Sequence, residues 1–269
     1  MVDTQPLLPR EMDLEQPSAA RIYDAFLGGS HNFGVDWRFV DRIESAMPGI
    51  TEVYRENRAF VRRTVEHMIS NGVWQFLDLG SGIPTIGHVH EVARRRTRGF
   101  RVVYVDNEPL TVAHSRPLLA DEPRAAIIEA DCRDPESILR APETTDLLDF
   151  TEPVGLLMSA VLHFIPDSDD PLPLVATYRD AVVPGSHLAV SHTTGSADSA
   201  AMRILEDFYA ETADPLFARD TDWIDALIGD FTLLAPGMSY LTDWRPDPGP
   251  ATQPPYRILY GGVARKPRA

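Results

Sequence analysis

Cysteine is nearly missing from this chain: Cys132 is the only one in 269 residues. One thiol cannot close an intrachain disulfide or supply a multi-cysteine zinc site, which fits a reducing, cytoplasmic setting. Lysine is as scarce, with Lys266 standing alone beside 24 arginines. That bias reads as genomic, of the kind seen in GC-rich bacteria. Positive charge is in deficit overall, and the formal net charge is −15. Extended nucleic-acid or anionic-membrane surfaces are held by Lys and Arg, so neither partner is expected. No apolar run approaches the roughly 18 residues of a membrane span. Met1 to Gln16 has neither the basic start nor the apolar stretch of a secretory leader and reads as a short disordered tail. Phosphate-loop and nucleophile-elbow motifs are also missing. His88, His90 and Glu91 do not form H-E-x-x-H, and residues two apart on a helix do not share a face, so no metal is expected.

What is present is an apolar share of 43%, enough for a substantial core. Ala19, Ile22, Tyr23, Phe26 and Leu27 recur at helical spacing behind Pro17-Ser18 and stop at Gly28-Gly29. A second helix is expected from Asp36 to Met47, and a third from Thr51 to Ser70 with Val53, Asn57, Phe60, Val61, Thr64, Val65 and Met68 on one face. From Val73 the texture changes to alternating strands and helices. Strands are expected at 74–79, 101–105, 125–129, 154–159 and 187–191. Intervening helices are expected at about 85–96, 108–119, 135–140 and 171–182, with helices at 198–212 and 221–228 following the fifth strand. Late strands at 231–235 and 256–264 pair most simply as an antiparallel hairpin. Such β–α repeats imply a parallel sheet covered on both faces. The expected organisation is a tail (1–16), an N-terminal helical cap or lid (17–72) and a Rossmann-like domain (73–269).

The most informative stretch is Phe76-Leu77-Asp78-Leu79-Gly80-Ser81-Gly82-Ile83-Pro84-Thr85. It is a buried strand, a glycine turn and a helix start, the unit with which an open α/β sheet receives a nucleotide-like ligand. The pattern is D-x-G-x-G rather than G-x-G-x-x-G, a variant familiar from enzymes that bind S-adenosylmethionine (SAM), whose cationic end suits a nearby carboxylate. Asp106 closes the second strand where an acidic residue can accept from two ribose hydroxyls. Asp131-Cys132 ends the third strand, in reach of an adenine edge, and Cys132 has no histidine partner that would make it a nucleophile. The fourth strand leaves through Ser159-Ala160-Val161-Leu162-His163. His163 reads as a cofactor contact or a general base, and His187, His192 and Tyr209 as further candidate pocket linings. Ahead of the sheet, Tyr23 to Phe33 crowds aromatics, Gly28-Gly29 and Asn32 together, either as a helix cap or as a lid in which Tyr23 and Asn32 cover a bound cofactor and exclude water.

In order, D-L-G-S-G at 78–82, V-D-N at 105–107, A-D-C at 130–132, V-L-H-F-I-P-D at 161–167 and V-P-G-S-H-L at 183–188 resemble the successive signatures of class I SAM-dependent methyltransferases. More narrowly, A-R-I-Y-D-A-F-L-G-G-S-H-N-F at 20–33, F-L-D-L-G-S-G-I-P-T at 76–85 and H-V-H-E-V-A at 88–93 are similar to the bacterial S-adenosyl methyltransferase family, long catalogued as a domain of unknown function. The resemblance implies a seven-stranded, mostly parallel sheet whose last strand is antiparallel, with SAM at the strand carboxyl ends. It places Asp78, Gly80 and Gly82 at the methionyl end and Asp106 at the ribose, with Ser81 and Asn107 also cofactor-binding. Asp131 and Cys132 fall at the adenine, and Ser159 and Ala160 at the sulfonium, with His163, Tyr23 and Asn32 adjoining. The function expected is methyl transfer to an unidentified small molecule. A SAM-binding sensor or interaction protein without catalysis is the alternative; a nicotinamide oxidoreductase is disfavoured by Pro84, which stands where a third glycine would be.

Overall fold

The computed structural model describes residues 13–83, 87–248 and 254–268. Most of the expected tail, Pro84 and Thr85, and Gly249 and Pro250 lie outside the described residues. Three helices come first: α1 (Ala19–Phe26), α2 (Gly34–Ala46) and α3 (Thr51–Ser70). The alternating part follows with β1 (Gln75–Leu79), α4 (Val89–Arg94), β2 (Arg101–Asp106), α5 (Pro109–Leu119), β3 (Ala125–Glu129), α6 (Pro135–Arg140) and α7 (Pro142–Leu147). Then come β4 (Val154–Ser159), α8 (Pro171–Asp180), β5 (His187–Thr193), α9 (Ser199–Tyr209), α10 (Thr221–Ala226), β6 (Thr232–Leu233), β7 (Ser239–Tyr240) and β8 (Leu259–Arg265).

The strands assemble in the order β3-β2-β1-β4-β5-β8-β6, with β7 also pairing β8. Strands β1 to β5 run parallel, and β8 lies antiparallel to β5, β6 and β7. The expected sheet is therefore present, including its antiparallel last strand, but with eight strand segments rather than seven. The late 231–235 strand shrinks to the two residues of β6, and β7 adds a second short contact on the other side of Gly237, whose φ is 97°. The order reverses between β1 and β4, the place where an open α/β sheet leaves a crevice at its carboxyl edge.

Both sheet faces are buried, which explains the unbroken apolar strands. Leu77, Val103, Leu156 and Leu188 point into one core with Val175, Tyr178 and Ile224. Their neighbours Phe76, Val102, Leu157 and Ala189 join the other, against Phe60, Val65 and Met68 of α3. A third core belongs to the cap: Ile22, Phe39, Ile43, Met47, Ile50 and Val53 pack with Ala201, Met202, Leu205 and Tyr209 of α9, and with Leu216 and Ile258.

One expected helix starts later, and one helix is additional. The one after β1 begins only at Val89, because Gly87 turns with φ 87° and His88 is extended. A separate α7 follows α6: Ala141 is extended (ψ 142°), as a residue before proline prefers, and Pro142 restarts the helix.

Candidate active site

At the carboxyl edge of the sheet, beneath the cap, lies a cavity of about 450 Å³. It is lined by the ends of β1 to β5 and the entry to β8. Tyr23 of α1, Tyr54, Asn57 and Arg58 of α3, and the 213–216 segment complete the wall. Of the residues singled out in the sequence, Asp78, Gly80, Ser81, Gly82, Asp106, Asn107, Asp131, Cys132, Ser159, Ala160, His163 and Tyr23 all line this one space.

The glycine turn is shaped by contact and by backbone. The Gly80 and Ser81 N–H groups both donate to Val105 O, at 2.9 and 3.1 Å, which folds the turn back over β2. Gly80 has φ 69°, and a Cβ there would stand 2.2 Å from Val161 Cγ2 on the β4 exit. Gly82 also has positive φ (67°), but the space where its Cβ would go is empty to 4 Å. Its N–H donates to Asp106 Oδ2 at 2.8 Å, while the Glu108 N–H donates to Asp106 Oδ1 at 3.0 Å. Asp106 is thereby aimed, with a lone pair on each oxygen left to accept.

Asp78 differs: its buried carboxylate accepts no hydrogen bond from the described residues. Burial pushes its pKa up to about 7, with the Arg58 charge opposing and Asp106 adding. Asp106 is likewise pushed to about 7, burial outweighing its two backbone hydrogen bonds. Asp131 is held low, chiefly by the fork of Arg133 on its carboxylate (2.6 to 3.0 Å). Burial pushes the Cys132 thiol up to about 12, so it is not a thiolate.

Arg58 and Asn57 were not singled out as functional from the sequence. The Arg58 guanidinium lies over the Tyr23 ring, 5.3 Å from its centroid, and its buried Nε has no partner among the described residues. Asn57 Oδ1 accepts from Ser191 Oγ at 2.6 Å and Ser159 Oγ at 3.2 Å, and its Nδ2 donates to Tyr23 OH at 3.0 Å. One side chain thus joins the cap to the exits of β4 and β5. The available signal was a polar residue within the apolar stripe of α3. Next to it Ala160 is forced into the left-handed region (φ 55°), and its N–H is held by Ser191 O and Ser191 Oγ, both at 3.0 Å. Small size makes that strained position tolerable at a ligand-facing turn.

The cap is anchored beside the site by buried charge. Arg21 Nε donates to both Asp36 oxygens, at 3.0 and 3.2 Å, and its Nη1 reaches Glu108 Oε1 at 3.2 Å. Ser18 Oγ donates to the same Glu108 oxygen at 2.7 Å.

Asn32 does not line the cavity: its Nδ2 donates to Asp24 Oδ2 at 2.7 Å and to Gly29 O at 3.0 Å, pinning its own loop. His187 and His192 are buried in β5 away from the lining, whereas Tyr209 lines the cavity and meets Tyr54 OH at 2.9 Å. His88 and His90 are engaged separately, with Ile83 O at 3.0 Å and Tyr104 OH at 2.7 Å. Among the described residues no three potential metal ligands gather, and no helix is long and apolar enough to cross a membrane.

These features fit a SAM-sized zwitterionic cofactor. A carboxylate that accepts nothing from the described residues suits its ammonium, the Arg58 guanidinium at the cavity wall suits its carboxylate, and the open Gly82 turn gives its backbone room. A strand order reversing at a glycine turn, with an antiparallel final strand, defines a Rossmann-like methyltransferase fold.

The chain belongs to the S-adenosyl methyltransferase family, whose model matches residues 5–267. It is thus a SAM-dependent methyltransferase. A crystal structure of a candidate methyltransferase from Thermobifida fusca is 36% identical, with TM-score 0.91 and full coverage of both chains. A DUF574 family protein from Streptomyces avermitilis is also 36% identical, with TM-score 0.90, covering 95% of this chain and 99% of that one. The N-methyltransferase NodS from Bradyrhizobium japonicum, solved with S-adenosylhomocysteine, shares the fold at 13% identity (TM-score 0.51; 92% and 100% covered). No curated protein matches.

Proposed function

We propose that the protein methylates a small molecule bound in the cap-covered cavity. The observation that carries this is continuity: the lining charged at Asp78, Arg58 and Asp106 runs on past Ser159 and Ala160 into further space under the cap. In this reading Asp78 takes the cofactor ammonium and Arg58 its carboxylate. Asp106 accepts from the ribose hydroxyls, with Asn107, Asp131 and Cys132 around the adenine. Gly80, Ser81 and Gly82 form the turn under the methionyl chain, Ser159 and Ala160 face the sulfonium, and His163 and Tyr23 border it. When bound, the cofactor supplies an electrophilic methyl group on a good leaving group. The protein then has mainly to position the acceptor and exclude water, which accords with a site built without a catalytic triad. The net charge of −15 argues against nucleic acid as the acceptor. A purely SAM-binding role would have been favoured by an Asn32 loop sealing the sulfonium side, and Asn32 is turned into its own loop instead.

Calorimetry with SAM, S-adenosylhomocysteine and NAD tests the reading. The adenosyl compounds are expected to bind and NAD is not. Asp106→Ala and Arg58→Ala should each weaken SAM by about 1–3 kcal/mol, the worth of a charged hydrogen bond. Binding of NAD with failure of both adenosyl compounds ends the proposal.

A further inference from the structure

The cavity is electrically lopsided. Its charged lining residues are Arg58, Asp78, Asp106, Glu108, Asp131 and Arg133, which belong to the β1–β2–β3 side or to α3 above it, and Asp214. Asp214 marks a border, since its charge acts on Asp106 and Glu108 from one side and on Tyr209 from the other, and its Oδ2 is taken by the Ala19 N–H at 2.7 Å. From Ser159 onward in sheet order, across β4, β5, β8 and α9, no lining residue among the described ones is Asp, Glu, Lys or Arg. That end is walled by Phe164, Leu205, Leu216, Ile258 and Leu259, with Tyr54 and Tyr209.

The hydroxyls of this end bond chiefly to one another or are buried. Tyr54 and Tyr209 bond each other, and Ser159 is held by Ser191 and Asn57. Thr193 Oγ1 is walled off from the space. His163 differs: its ring makes no hydrogen bond with the described residues, and its Nδ1 is buried, which leaves Nε2 as the nitrogen able to reach the cavity. Phe164 and His192 pack edge-on against the ring, at centroid distances of 4.4 and 5.4 Å, and fix its orientation. Burial, with the nearby His192 and Arg219, holds its pKa well below the usual histidine value, so the imidazole is neutral, and in its Nδ1–H tautomer it accepts at Nε2.

We infer that the acceptor is an uncharged, ring-bearing apolar molecule whose single reacting hydroxyl, phenolic or enolic, is oriented by His163 Nε2. A carboxylate or ammonium on the acceptor would be stripped of water there with no counter-charge. A phenolic hydroxyl is neutral at pH 7 yet acidic enough to give its proton to a weak base. The acceptor oxygen bonds to the methyl carbon as the carbon–sulfur bond breaks and leaves its electron pair on sulfur. The hydroxyl proton passes to His163 Nε2 and then to solvent.

This rests on the methyltransferase reading, and the experiment separates the two. Protein saturated with S-adenosylhomocysteine is titrated calorimetrically with naphthol, naphthalene, hydroxynaphthoate and tyramine. Naphthol is expected to bind at least about tenfold more tightly than either charged compound, because the apolar end has no partner for their charge. Its preference over naphthalene, about three- to tenfold for one hydrogen bond, should vanish in His163→Leu. Failure of S-adenosylhomocysteine to bind overturns the function itself. If it binds but naphthol does not, or a charged compound matches naphthol, the acceptor class is wrong and the function stands. A naphthol preference that survives in His163→Leu removes His163 from the contact.

Discussion

The two ends of the cavity are built on opposite principles. At the β1–β3 end, fixed charges face the space and even the roof is ionic, Arg21 joining Asp36 to Glu108. At the β4–β8 end the roof is the apolar cap core shared with α9, and the wall carries neutral rings and aliphatic chains. The difference teaches where specificity of each kind resides. A zwitterionic cofactor needs counter-charges placed in advance, whereas an apolar acceptor needs shape and dryness. In the proposed reading one cavity serves both, with its boundary at the order reversal of the sheet.

The sharpest way to break this contrast is to take the charge out of the ionic roof. Arg21→Met leaves the buried Asp36 and the half-buried Glu108 without their shared partner, and should cost about 3–5 kcal/mol of stability by denaturant titration. A loss under 1 kcal/mol would mean the roof is not held by charge at that end. Gly80→Ala attacks the boundary itself. Its Cβ would meet Val161 with φ at 69°, so about 2–4 kcal/mol should be lost, with SAM affinity falling as the turn is displaced.

Titration tests the charged end directly. Asp78 and Asp106 both titrate near 7 in the free protein, raised above their usual 3.8 by burial. Their contribution to folding is therefore complete below 3.8 and lost as pH rises through about 7, the reverse of a salt-bridged aspartate. Ligand binding has the opposite sign, because a cationic ammonium favours ionised Asp78. SAM affinity should fall by up to about tenfold from about pH 8 to about pH 6, measured calorimetrically. A flat profile would place the ammonium away from Asp78. The smallest effect is expected at the neutral end. Thr193→Val removes a buried hydroxyl that has no partner, so stability should hold or rise by about 1 kcal/mol. A clear loss would reveal polarity at an end described as having none to spare.

How much of this was legible in the sequence follows from how local each signal is. Strand–turn–helix order, the glycines at 80 and 82 and the acidic strand ends are written in adjacent residues, and the sheet and most of the lining followed from them. Asn32 reads in the sequence as part of a helix cap or of a lid, and in the structure its amide satisfies Asp24 and Gly29 within the same loop. Arg58 escaped notice because nothing beside it in α3 announces that the helix crosses over the β1 turn. Asn57 was visible as a polar break in an apolar face, but its partners, Ser159 and Ser191, are 102 and 134 residues away. Charge segregation along the cavity is a property of strand order, which no window of sequence contains.

The shared cap core also governs the order in which the protein can come into being. Ile22, Phe39 and Ile43 complete their core with Leu205, Tyr209, Leu216 and Ile258, so these helices, synthesised before the sheet, cannot finish folding until nearly the whole chain has been made. Such long-range closure slows folding and leaves early segments waiting with apolar surface exposed. An excised 17–72 fragment should therefore show weak helical circular dichroism and no cooperative melt. The N-terminal helices precede the sheet in synthesis and are completed after it.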